Sequence, residues 1–152
     1  MNYLINKKSV LEACKLILQE RMSNSEKAMN SAQESTKSED KSSAGDKFET
    51  GRAMGHLNRD MYAKQLVEAK KDFEKLEKIN HNFENKIVSL GALVQTKTKV
   101  YFIACGIGRI KVLDFDIMVL SPLSPIAVAM LGKRLKDTFE FNQTKHQIIS
   151  LS

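Results

Sequence analysis

A chain of 152 residues, 42% hydrophobic and 28% charged, has room for one domain or two small ones and the composition of a soluble protein. No apolar run approaches the ~18 residues that span a bilayer, and the basic pair in MNYLINKKSVLEACKLIL lies within the apolar stretch, which argues against a secretory signal. The formal charge of +6 is uneven: residues 1–50 carry eight basic and eight acidic side chains, residues 51–86 eight and six, and residues 87–152 eight and four. The excess in the last third suits an acidic or nucleic-acid-rich partner, or a surface kept basic for solubility.

In chain order, residues 9–83 read as helical. Ser9-Val10-Leu11-Glu12 has the form of a capping box, and Leu11, Cys14, Leu18 and Met22 recur at helical spacing behind it. The polar, Ser-rich run NSAQESTKSEDKSSAG over 30–45 reads as flexible when taken alone. A second helical pattern follows, with Met54, Leu57 and Met61 as one group. Tyr62, Leu66, Ala69, Phe73, Leu76, Asn80 and Phe83 then alternate at three and four residues, the seam of a coiled coil. A small-residue turn between two such segments predicts an antiparallel hairpin, and arms of ~30 residues at ~1.5 Å per residue would reach ~45 Å. Having two Pro in the chain suits long helices.

From residue 87 the character changes. IVSLGALVQT, VYFIACGIG, RIKVLDFDIMVLS, DTFEFNQ and KHQIISLS read as five strands rich in Val, Ile, Phe and Tyr. SPIAVAMLGKRL reads as a short helix with Ser124 as N-cap and Pro125 at its first position. The expected fold is α+β: a coiled-coil hairpin domain over 1–84 and an antiparallel-sheet domain with one short helix over 85–152.

Several short motifs fail on their spacing. Gly106-Ile107-Gly108 has neither the third Gly nor the following helix of a dinucleotide fingerprint and reads as a hairpin turn. Gly45-Asp46-Lys47 lacks the first Gly and the Ser or Thr of a phosphate loop. His56, His81 and His146 are scattered, and Cys14 and Cys105 lack metal-ligand spacing, so the cysteines read as packed thiols in a reducing cytoplasm. The pair Asp46 and Glu49, in KSSAGDKFET, admits two readings. Three apart on a helix, two carboxylates lie on one face and could share a divalent cation; equally, Asp46 as N-cap and Glu49 at the third position form a capping box.

The architecture and three C-terminal segments carry a family resemblance. Val88-Ser89-Leu90-Gly91-Ala92-Leu93-Val94, then Ser124-Pro125-Ile126-Ala127-Val128-Ala129-Met130-Leu131-Gly132-Lys133, then Lys136-Asp137-Thr138-Phe139 follow in order. Set behind an N-terminal coiled-coil hairpin, they resemble the GreA/GreB family of transcript cleavage factors, with Lys136 where that family has Gly. The resemblance implies an FKBP-like C-terminal domain, docking to RNA polymerase at its secondary channel, and a coiled coil reaching down that channel. Ser124, Pro125, Ile126 and Lys133 would belong to the docking surface. Asp46 and Glu49 match the family's D-x-x-E tip pair and would hold Mg²⁺ jointly with the polymerase to cleave backtracked RNA; the free protein would bind no cofactor. Thr50-Gly51-Arg52-Ala53 stands where the family has Asn-Ala-Glu-Tyr.

The implied function is a cytoplasmic, monomeric transcription elongation factor, not an enzyme alone, with contacts to RNA or DNA in the elongation complex and none to membrane. The alternatives are a non-cleaving regulator docked in the same channel and a coiled-coil interaction module unrelated to transcription.

Overall fold

The computed structural model describes residues 5–39 and 45–152, and side chains over 5–33 and 53–152. The described residues form three helices and seven strands: α1 (Lys7–Glu39), α2 (Gly45–Glu77), β1 (Leu93–Gln95), β2 (Val100–Ile103), β3 (Gly108–Val112), β4 (Phe115–Leu120), α3 (Pro125–Met130), β5 (Thr138–Phe141), β6 (Thr144–Gln147) and β7 (Ser150–Leu151). The fold is α+β, two long N-terminal helices followed by a mixed sheet with one short helix. The chain divides into two compact units. One is Leu16–Phe73; the other joins Met1–Lys15 to Glu74–Ser152.

Helix α1 starts before the predicted capping box. The Asn6 side chain accepts from the Lys8 amide at 2.9 Å, and the Asn6 carbonyl accepts from Val10 at 3.2 Å, so Asn6 is the cap and Ser9 lies inside the first turns. The first part of the Ser-rich run, over 30–39, is helical and belongs to α1; its part over 40–44 lies outside the described residues. At its far end α2 stops at Glu77, short of the predicted Phe83. There the Asn80 side chain accepts from the Asn82 amide at 3.0 Å, and the Asn80 carbonyl accepts from Phe83 at 3.1 Å. This local turn competes with the helix for the same backbone groups and leaves Phe83 63% exposed.

Within the helical unit the buried residues are Leu18, Ser25, Gly55 and Ala69, among those described. Along α2, Gly55, Arg59, Tyr62, Leu66, Ala69, Phe73 and Leu76 alternate at four and three residues, and all are buried or half-buried. The 3.5-residue period is therefore present, but its register toward the start of α2 runs through Gly55. The expected Met54, Leu57 and Met61 are 55%, 65% and 47% exposed. Gly, Ser and Ala bury little area at ~25 cal/mol per Å², so this seam contributes much less per turn than a leucine seam would.

In the other unit, the five-stranded sheet has the order β3-β4-β2-β1-β7, and β5 and β6 form a separate ribbon. Three of its four ladders are antiparallel as expected; β2 and β4 pair in parallel, with Val100 opposite Ile117 and Ile103 opposite Leu120. Because β2 and β3 are not neighbours, Gly106-Ile107-Gly108 lies in a crossing connection and not in a hairpin turn. The hairpin falls inside RIKVLDFDIMVLS, where Leu113 and Asp114 take φ of 49° and 66° between β3 and β4. Positive φ at both central residues is the type I′ geometry whose twist matches the strands.

Side chains alternate across this sheet. Val94, Tyr101, Ile103 and Leu120 pack with Val88, Ala127 and Met130 of the α3 layer and with Phe139 and Ile148. The opposite-facing Leu93, Val100, Phe102, Ile117 and Val119 are also buried, in the unit that contains buried Val10, Leu11, Cys14 and Leu76 from the ends of α1 and α2. Both faces being covered explains why β2 reads as a continuous apolar run.

Candidate functional site

The backbone places Asp46 and Glu49 in the first turns of α2, which begins at Gly45. Asp46 thus falls inside the helix by one residue, while its side chain and that of Glu49 lie outside those described. Among the described residues no group of three or more His, Cys, Asp or Glu is arranged to hold a metal ion.

The segment around α3 is built from its sequence upward. Ser124 is the N-cap in extended conformation (φ −66°, ψ 148°), and its carbonyl accepts the Val128 amide at 2.9 Å. Its hydroxyl does not cap; it donates instead to the Ser121 carbonyl at 2.8 Å, closing the turn that delivers Pro125 to the first helical position. Ile126 is half-buried against the core, anchored beside fully buried Ala127 and Met130. Lys133 is half-buried and its carbonyl accepts the Val88 amide at 2.8 Å, while Gly132 donates to the Val88 carbonyl at 2.9 Å. This backbone pair ties the 88–94 segment to the end of α3. The face left outside carries Leu123, 87% exposed, and Val128, 57% exposed, with Leu131 and Leu135 beside the cations Lys133, Arg134 and Lys136. Ser124, Pro125 and Ile126 open α3 and Lys133 follows its end, beside exposed apolar residues the sequence reading did not single out. Val128 lies on the outer side of α3, and Leu123, Leu131 and Leu135 lie in the segments flanking it.

Lys136 has a φ of +73°, in the left-handed region where Gly is free of strain. Backbone bonds hold it there: its amide donates to the Ile148 carbonyl at 2.8 Å, and its carbonyl accepts from Gln147 Nε2 at 3.1 Å.

Two further arrangements had no sequence signal. Lys7 is 5% exposed, and its Nζ donates to the Phe83 carbonyl at 2.7 Å and to Asn85 Oδ1 at 2.9 Å. Burial holds its pKa below the ordinary lysine value, partly offset by the charge of Glu84. Asn85 passes the link on, donating through Nδ2 to Ser89 Oγ at 2.8 Å. The second arrangement is a pocket of about 260 Å³ over the sheet, lined by Thr98, Lys99, Val100, Arg109, Asp116 and Met118. Arg109 donates to Asp116 at 2.7 Å, and this hydrogen bond holds the Asp116 carboxyl below its usual range.

No family model and no curated protein matches the chain. Among solved structures it is similar to the transcription factor Gfh1, over 95% of this chain and 94% of that one, at 14% identity and a TM-score of 0.34. A score that low carries no functional weight, and the chain's own residues must supply the reading. No helix among the described residues is long and apolar enough to cross a membrane.

Proposed function

We propose that this chain is a Gre-like transcription factor that docks on RNA polymerase and places the start of α2 near the RNA 3′ end. The observation that carries the reading is the α3 segment. The residues that resemble the family's docking motif, Ser124, Pro125, Ile126 and Lys133, start and follow this helix, where Leu123 and Val128 are exposed and Lys133, Arg134 and Lys136 add positive charge. Two helices of 33 residues each precede it, with the acidic pair at the inter-helix end of the second. A helix of that length extends about 50 Å.

Asp46 and Glu49 would then bring two carboxylates to a divalent cation. Mg²⁺ is usually bound through one or two carboxylates with waters and phosphate oxygens completing its octahedron. As the resemblance implies, the pair would share the ion with the polymerase, and the chain would be no enzyme by itself. When bound, the ion would supply Lewis-acid stabilisation and an activated water at the scissile phosphodiester. This chain's residues would position it.

A second reading rests on Thr50-Gly51-Arg52-Ala53, which replaces the Asn-Ala-Glu-Tyr of the family's tip. With that motif gone, the same docking would obstruct or reshape the channel without cleavage. Stalled elongation complexes separate the two. Native protein should shorten backtracked RNA in Mg²⁺, and Asp46→Ala/Glu49→Ala should lose at least tenfold in cleavage rate while still binding polymerase. Equal cleavage by both proteins would remove the catalytic role. Inhibition without cleavage would establish the second reading, and failure to bind polymerase would refute both.

A further inference from the structure

The pocket over β2, β4 and β3 gathers cations that are far apart in sequence. Arg109 and Lys111 are two apart on β3 and so face the same side, as do Asp116 and Met118 on β4. Lys111 pairs with Asp116 and Arg109 with Met118 across the ladder. On the other flank the parallel register sets Val100 opposite Ile117, so Lys99, one residue before Val100, comes level with Asp116. Three cations thus surround one carboxylate. At ~4.8 Å between strands and ~6.7 Å between alternate residues, they occupy a patch roughly 10 Å across.

The cations are accessible. Lys99 and Lys111 are exposed, and the Arg109 side chain is 70% exposed despite its bond to Asp116. No single small anion can meet all three at that spread, whereas a chain of closely spaced negative charges can. Guanidinium forks match phosphate oxygens in pairs, and duplex DNA carries one charge per ~1.7 Å of axis. The aromatic rings of β2 are unavailable for stacking, because Tyr101 is 2% and Phe102 0% exposed. Contact would therefore be with backbone and not with bases.

We propose that this patch binds the phosphodiester backbone of a nucleic acid without sequence preference, through Lys99, Arg109 and Lys111. The proposal does not depend on polymerase docking, since the patch and its ligand are complete without it.

The test uses the full chain and a labelled mixed-sequence single-stranded RNA of twenty nucleotides, titrated at several salt concentrations. Affinity should fall as salt rises, with a log–log slope of about −0.7 per phosphate contact. Lys99→Ala/Arg109→Ala/Lys111→Ala should weaken binding at low salt by at least tenfold and flatten the slope by about 2. Lys70→Ala/Lys71→Ala on α2 should change neither. Asp116→Asn has a distinguishing sign: it removes the repelling carboxylate and releases Arg109, so binding should tighten. Unchanged affinity and slope in the triple variant would overturn the proposal, as would weaker binding by Asp116→Asn. Competition by poly-glutamate equal to that of unlabelled RNA, at matched charge, would also overturn it by identifying an acidic peptide as the ligand.

Discussion

At the scale of single residues, the most informative departure is Lys136. A side chain at φ +73° places Cβ against the adjacent backbone, at a cost on the order of 1–3 kcal/mol for a non-glycine residue. The bonds to Ile148 and Gln147 fix that conformation from both sides, so the chain cannot relax out of it without losing them. Lys136→Gly removes the strain but adds freedom to the unfolded chain, which offsets part of the gain. The net expectation is a stabilisation of up to about 1 kcal/mol. Lys136→Val, β-branched and poorly suited to positive φ, should destabilise by more than 1 kcal/mol on the same reasoning. Urea midpoints of the three proteins at constant m-value measure both. If Gly and Val shift the midpoint in the same direction, the left-handed backbone is not what sets stability there.

At the scale of elements, the β3–β4 hairpin turns through Leu113-Asp114 without Asn or Gly at either position. Leu113 is 75% exposed, so its side chain contributes little packing to weigh against its backbone strain. Replacing the pair by Asn-Gly supplies residues that take type I′ angles readily and should raise stability by about 1 kcal/mol, read as an increase in thermal midpoint. The same turn shows why part of this fold was hidden in the sequence. Turn chemistry normally marks a hairpin, and here Leu-Asp inside an apolar run gave one long strand where there are two. The helices were legible because their period is local. Their ends were not, since Asn6 and Asn80 act through side-chain bonds that compete with equally plausible neighbours. The helix enters the Ser-rich run on a seam of Ser25, Ala28 and Ala32, residues that carry almost no hydrophobic signal. Parallel pairing of β2 with β4 could not be read from either strand alone. The cationic pocket was missed for the same reason: Lys99, Arg109 and Asp116 meet only once that register is known. Asp46 and Glu49 were visible as a pair, but spacing alone does not choose between backbone amides and a cation as their partner.

At the scale of the whole molecule, the buried titratable groups couple the sheet unit to pH. Cys14, from the first turns of α1, is fully buried, and burial with a smaller contribution from Cys105 pushes its thiol from 9.0 to about 12. Burial raises the Tyr101 hydroxyl in the same sense. In both cases the folded chain keeps a proton that the unfolded chain gives up. The stability they contribute is full below pH 9 and is lost as pH rises toward 12. Lys7 opposes this, because its folded pKa lies below 10.5 and folding there favours the neutral amine. Each fully coupled proton changes stability by about 1.4 kcal/mol per pH unit at most. Cys14 has the lower unfolded pKa and so acts before Tyr101 as pH rises, with Lys7 opposing it. Urea unfolding of the native protein at pH 8, 9 and 10 measures the fall in stability that Cys14 causes and Lys7 offsets. The fall should be shallower in Cys14→Ala, whatever that variant costs at pH 8, and steeper in Lys7→Met, which removes the opposing group. Parallel pH profiles for the native protein and Cys14→Ala would mean that this thiol titrates alike in the folded and unfolded chains, and the packing of α1 against the Cys105 region would then not be what shields it.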